Sequence, residues 1–403
     1  MSPSHVSQLA TQEHKWKLTV RLKSRPYIFL TNGGGKSERE RCADLSSQLL
    51  TPVSEGQFIC GHTPMRQYSS RYTGPVLVVG GEGEKCRHVA ESYGFRDVIT
   101  PVDIIAANPS TAPFRKLTPA ELSDSRDLLA RPGVTKLSDI VIQAVFVFAD
   151  SRDWASDLQI ILDIAQSKGG RLETRSETFD EGPPIYFSHN DVLWSAAHQH
   201  VRLGMGALRK IVETVFEETT GGKKLVTHAF GKPQVSTFEF AERLLGQWRE
   251  ERYGLLCSSS GTGTGTGNGD GDGLSNGRGG GGNGGVGVGG VETVYFVGDT
   301  PESDIRGANA MDEKSGKEGT GTEWYSILVK TGVYQEGTEP RYKPRKLVGN
   351  VLDAVNHGIR REMARMGKGK RMTVSGNLLP LDCDGGMRKF GEERMQEVVV
   401  LEE

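Results

Sequence analysis

Short apolar runs alternate with amphipathic stretches from Tyr27 to Val329, and this alternation constrains the fold more than any other feature. Tyr27–Leu30, Val76–Val79, Val98–Ile99, 144–149, Ile185–Phe187, 294–297 and 324–329 are apolar and rich in β-branched or aromatic residues. Strands buried on both faces of a parallel sheet have this composition. Between them the spacing changes to that of helices. Ser37-Glu38-Arg39-Glu40 is a capping box that opens a helix with Cys42, Leu45 and Leu49 on one face. Residues 84–93 and 154–167 read as further helices. Ser236-Thr237-Phe238-Glu239 is a second capping box, followed by Phe238, Ala241, Leu245 and Trp248 on one face. Thr300 suits an N-cap and Pro301 the first helical position. Strands alternating with helices predict an α/β fold with a mostly parallel sheet.

At 403 residues the chain has room for about two domains. Residues 258–290 are Gly/Ser/Thr/Asn tracts with almost nothing to bury and read as a flexible surface insertion. A net charge of −2 gives no overall basic field for nucleic acid. No apolar run approaches the roughly 18–20 residues that a membrane span needs. Five scattered cysteines without a C-x-x-C disfavour a disulfide framework or a zinc site. No secretory signal is legible in residues 1–14. Trp16, Leu18, Val20 and Leu22 alternate with polar residues as in a half-exposed strand, a better reading than a weak transit peptide. Residues 341–372 hold ten Lys/Arg against Asp353 and Glu362 and read as a solvated helix face and tail.

Three apolar segments end in small polar clusters: Thr31-Asn32, Gly231-Lys232-Pro233 and Gly298-Asp299. Ligands of parallel α/β sheets bind beyond the carboxyl ends of the strands. A hydroxyl with backbone N–H groups can hold phosphate oxygens, and a lysine offsets their charge. Carboxylates such as Asp299 and Asp304, five residues apart across a strand-to-helix turn, can face one Mg²⁺.

FLTNGGG at 29–35, FGKP at 230–233 and VGDTPESDI at 297–305 resemble three of the four motifs of haloacid dehalogenase-like (HAD) phosphatases, subclass IIA. HTP at 62–64, YGFRDVITPVDI at 93–104, FADSRDWASDLQ at 148–159, PPIYFSHNDVLW at 183–194 and EWYSILVKTGVY at 323–334 resemble the cat eye syndrome critical region protein five family. The resemblance implies a Rossmann-like core of 1–60 and 229–356, an inserted α/β cap of 61–228, and a basic helix end and tail at 357–403. It implies that Thr31 binds the transferring phosphoryl group, that Asn32 and Gly33 help to hold it, and that Lys232 neutralises its charge. Asp299 would ligate Mg²⁺ and Asp304 would support that site. The substrate would be a small phosphorylated molecule, and the compartment mitochondrial, otherwise cytoplasmic. Some such relatives are grouped with phospholipid synthesis.

One motif is missing. The family's first motif is an apolar strand ending D-x-D-G, placed before the Thr strand, whose first Asp attacks phosphorus. Residues 1–25 contain no Asp. Asp270-Gly271-Asp272 lies in the glycine tract, and Leu381-Asp382-Cys383-Asp384-Gly385 would require a permuted sheet. The expectation is therefore a HAD phosphatase relative that is inactive as written, through a gene model that has lost its start, or a non-catalytic binding protein on the same fold. A P-loop reading of Gly35-Lys36-Ser37 is remote, because the first Gly of the motif would fall on Leu30 inside the strand. Asp150, Arg152 and Asp153, and His189, Asn190 and Asp191, lie on loops after strands, where substrate contact and local turns are both open.

Overall fold

A computed structural model describes residues 26–194, 198, 200–253, 292–334, 337–370 and 397–401. The strand read at 16–22, the insertion 258–290 and the segment 381–385 lie outside the described residues. The strands are β1 Tyr27–Leu30, β2 Phe58–Ile59, β3 Val76–Val79, β4 Val98–Ile99, β5 Ala144–Val147, β6 Ile185–Phe187, β7 Leu193–Trp194, β8 Arg202–Leu203, β9 Thr227–Ala229, β10 Thr293–Gly298, β11 Glu323–Val329, β12 Lys346–Val348 and β13 Glu397–Leu401.

They form two parallel sheets and one antiparallel hairpin, β7-β8. The first sheet has the order β12-β11-β10-β13-β1-β2 and the second the order β4-β3-β5-β6-β9. In both, apolar clusters cover each face: Phe29, Leu45, Tyr295 and Val355 pack on one side of the first sheet, and Ile28, Phe238, Phe296 and Trp324 on the other. Burial on both faces is why these strands carry continuous apolar runs instead of alternating ones.

The order of the first sheet holds an unexpected feature. Its central strand is β13, paired with β10 from Thr293↔Glu397 to Val297↔Leu401 and with β1 from Tyr27↔Val399 to Phe29↔Leu401, all parallel. A strand therefore lies within 357–403, which the sequence reads as helix end and tail. Val398-Val399-Val400-Leu401 is the composition of a buried parallel strand, and that run is the signal the sequence reading missed. β1 and β10 are fully buried, so the facing edges of their backbones need partners there, and β13 provides them.

Several local expectations are revised. The helix read from Ser236 begins at Val235, so Ser236 lies inside it. Thr237 instead bonds backwards, its hydroxyl donating to the Gly231 carbonyl at 3.1 Å. Thr300 gives no side-chain cap; Pro301–Ile305 forms a wide π-type turn before the helix Arg306–Glu318. The basic run is tied down in part, because Arg361 donates to Glu323 at 2.8 and 2.9 Å across the face of the sheet. Helix Met205–Thr219, strand β2 and strand β12 have no counterpart in the sequence reading.

A buried polar cluster joins the two sheets. Glu38 Oε1 accepts from the Tyr93 hydroxyl at 2.5 Å and from the Thr63 hydroxyl at 2.7 Å. His62, fully buried and stacked on Phe148, sets Nδ1 2.8 Å from the same Tyr93 oxygen. Burial lowers the His62 pKa to about 4, against the opposing pull of Glu38. Burial pushes Glu38 up, but His62 and the two hydroxyls hold it below its ordinary value. Both shifts have the same sign. The unfolded chain takes up protons first, so stability is full above about pH 6.5 and falls as pH drops toward about 4, by on the order of 2–3 kcal/mol. Chemical unfolding of His62→Phe across this window is expected to show a flatter pH dependence; an unchanged slope refutes the assignment.

Candidate active site

The three predicted clusters meet: Thr31-Asn32 and Gly298-Asp299 stand at the carboxyl edge of the first sheet, at the ends of β1 and β10, and Gly231-Lys232-Pro233 joins them from the end of β9 in the second sheet. β1 ends at Leu30, so Thr31 leaves the sheet with its N–H still donated to the Ile59 carbonyl at 2.9 Å. The Thr31 hydroxyl accepts the Gly33 N–H at 3.0 Å, which leaves its own proton to donate. Asn32 follows, and its side chain spans to the Lys232 turn. Oδ1 accepts the Lys232 N–H at 2.7 Å and Nδ2 donates to the Lys232 carbonyl at 3.1 Å. The turn needs glycine at 231: φ is +73°, and a Cβ would stand 2.5 Å from Asn32 Oδ1.

Lys232 is fully buried, and its Nζ lies 2.7 Å from Asp304 Oδ1. The other Asp304 oxygen accepts the N–H groups of Asp299 at 3.1 Å and Thr300 at 2.9 Å. Gly298 makes this approach possible, since a Cβ there would meet the Asp304 carboxylate at 2.4 Å. Asp299, also buried, accepts from the Thr300 hydroxyl at 3.0 Å and from the Val333 N–H, and its carbonyl takes the Tyr334 N–H at 3.1 Å. Val333 and Tyr334 were not anticipated as site residues. They lie just past β11, the neighbour of β10, so they reach the same edge.

The second sheet reaches the site through its own carboxyl edge. Asp191, on the loop after β6, accepts from Asn32 Nδ2 at 2.7 Å. His189 lies 3.7 Å from Asp191 through Nδ1 and 4.0 Å from Asp150 through Nε2. Burial pushes the Asp191 carboxyl above its ordinary value, and His189, Asn32 and Lys232 pull against it. Lys36 does not point toward a nucleotide loop. It pairs with Asp44 at 2.6 Å, while Ser37 caps the helix Glu38–Leu49.

The resemblance implies Mg²⁺ as the cofactor, bound only weakly here because the first-motif Asp is missing. Among the described residues no group of three or more Asp, Glu, His or Cys is placed to hold a metal. Asp304 is committed to a lysine and two backbone N–H groups, and both Asp299 oxygens accept protein donors. The described donors alone do not fit a Mg²⁺ centre, which needs oxygen ligands in near-octahedral array.

Two parallel sheets, with a lysine, a threonine and an aspartate pair gathered where their carboxyl edges meet, define an α/β protein with its candidate site at the strand ends. The chain belongs to the haloacid dehalogenase-like hydrolases. A family model described as haloacid dehalogenase-like hydrolase matches residues 12–96, and a HAD-hydrolase-like model matches residues 229–354. A protein named as a mitochondrial hydrolase of Saccharomyces cerevisiae is 36% identical over 334 residues, covering 82% of this chain and 85% of that protein. A cardiolipin synthase (CMP-forming)/mitochondrial hydrolase fusion protein of Schizosaccharomyces pombe is 34% identical over 332 residues; the match covers 82% of this chain but only 47% of the fusion. Among solved structures, a possible sugar phosphatase of the HAD superfamily from Cytophaga hutchinsonii has a TM-score of 0.48 at 14% identity, covering 84% of this chain and 87% of that one.

Proposed function

We propose that the chain binds the phosphate group of a small phosphorylated molecule at Thr31, Asn32, Gly33 and Lys232, and that as written it does not hydrolyse phosphate esters. In this reading 1–60 and 229–356 form the core, with β13 at Glu397–Leu401 completing its sheet, and 61–228 form the cap. The observation that carries it is the asymmetry of the site. The anion-holding groups are placed and braced, yet the described edge offers no carboxylate available to attack phosphorus. Asp299 and Asp304 are both engaged, and the central strand β13 runs from Glu397, at its far end, to Leu401. Glu402 and Glu403 follow in the sequence and lie outside the described residues. Covalent catalysis in this family's manner requires a carboxylate nucleophile.

The same asymmetry supports the non-catalytic reading, in which the fold serves as a binding protein. The names of the two yeast relatives support a mitochondrial location and, more distantly, a link to phospholipid synthesis. Calorimetric titration tests the reading. Phosphate or sulfate is expected to bind without metal, and Mg²⁺ to bind in the millimolar range or worse, about −4 kcal/mol at best. Tight Mg²⁺ binding, or no phosphate binding, contradicts it.

A further inference from the structure

We propose that Asp191 is a positioning residue for the phosphate site: through the Asn32 amide it holds the Lys232 turn in its binding geometry, so that anion capture depends on the cap loop being docked. This rests on the phosphate-binding reading above and deepens it.

The Asn32 amide pairs with the peptide of Lys232 as one strand pairs with another. Its oxygen accepts the Lys232 N–H at 2.7 Å, and one amide hydrogen goes to the Lys232 carbonyl at 3.1 Å. The second amide hydrogen goes to Asp191 Oδ2 at 2.7 Å. Both Nδ2 hydrogens are thereby used, and the carboxylate, which only accepts, fixes which end of the amide faces the cap. The turn is tied on its downstream side, where the Gln234 N–H and the Thr237 hydroxyl donate to the Gly231 carbonyl at 3.0 and 3.1 Å, but those bonds leave the Lys232 N–H to Asn32. Gly231 sits at φ +73°, where glycine has conformational freedom that the Asn32 contacts help to remove.

The cap loop is itself anchored. The Asp191 carbonyl accepts the Gly206 N–H at 2.9 Å from helix Met205–Thr219, and Arg209 of that helix donates to Asn190 Oδ1 at 3.1 Å. The Asp191 N–H donates to His189 Nδ1 at 3.3 Å. A rigid cap element is thus joined to the core lysine by a chain of three short polar contacts.

The sign of the effect separates positioning from simple electrostatics. A carboxylate near a bound anion repels it, so charge alone predicts that Asp191→Ala strengthens phosphate binding. Positioning predicts the reverse.

The full-length chain is compared with Asp191→Ala and Asp191→Asn by two measurements: hydrogen exchange at the Lys232 amide, followed in a peptide spanning the turn, and calorimetric titration with inorganic phosphate. Asp191→Ala is expected to speed Lys232 exchange by about tenfold and to weaken phosphate by a similar factor, as for loss of a charge-assisted hydrogen bond. Asp191→Asn keeps an acceptor and is expected to stay within about threefold of the parent on both. Unchanged exchange in Asp191→Ala, tighter phosphate binding, or an Asn variant that behaves as the Ala variant overturns the proposal. Exchange that responds as expected in a chain that binds no phosphate upholds the coupling and refutes the phosphate reading instead.

Discussion

A chain ending at residue 396 is expected to lose the cooperative folding of the first sheet. β13 lies between β10 and β1 and bonds to both, so its removal leaves two fully buried strands facing a gap of roughly 10 Å, two interstrand spacings. Every backbone N–H and C=O along those edges would lose its partner. Each buried group left unsatisfied costs about 1–3 kcal/mol, so a handful of them is comparable to the whole of the roughly 5–15 kcal/mol that stabilises a typical domain. Val399→Pro makes the same point with one residue. It removes a ladder donor in the interior of a central strand, where proline is not tolerated. Circular dichroism melts of both variants check the claim. A truncated chain that melts as sharply and as late as the parent would show that β13 is dispensable to the sheet.

Lys232→Met is expected to be the most damaging single change in the site. It removes a fully buried ammonium 2.7 Å from the fully buried Asp304 carboxylate. Breaking a buried ion pair from one side typically costs about 3–5 kcal/mol, because the remaining charge loses its counter-ion without regaining solvent. Asp304 would keep its two backbone donors from Asp299 and Thr300, which moderates the loss without replacing the cation. Adding Asp304→Asn removes the stranded charge while its amide oxygen can still accept those N–H groups. The double variant is therefore expected to regain part of the stability and none of the phosphate affinity. Denaturant unfolding and phosphate titration of the three proteins separate the two roles of Lys232. If the single variant is as stable as the parent, the ion pair does not contribute as its geometry implies.

Much of the site was legible because its residues stand at the ends of recognisable strands. Thr31, Lys232 and Asp299 each follow an apolar run, and the two parallel sheets bring their carboxyl ends together. Less legible was whatever depends on distance in space alone. The Asn32–Asp191 contact joins residues 159 apart, and no spacing rule connects them. The Ser236 capping box was misread for a local reason: the four-residue pattern fits the box, but the helix starts one residue earlier. β13 is a different case. Its apolar run was present, yet it lies far along the chain from the strands it joins, and position in sequence says little about position in a parallel sheet.

The most direct test of the whole account is an assay of the purified 403-residue chain, with Mg²⁺, on a panel of phosphate esters. The account predicts no turnover above background, alongside retained binding of inorganic phosphate. Turnover that disappears in Asp299→Asn would contradict it, since it would show that a working nucleophile and metal centre exist beside the phosphate site.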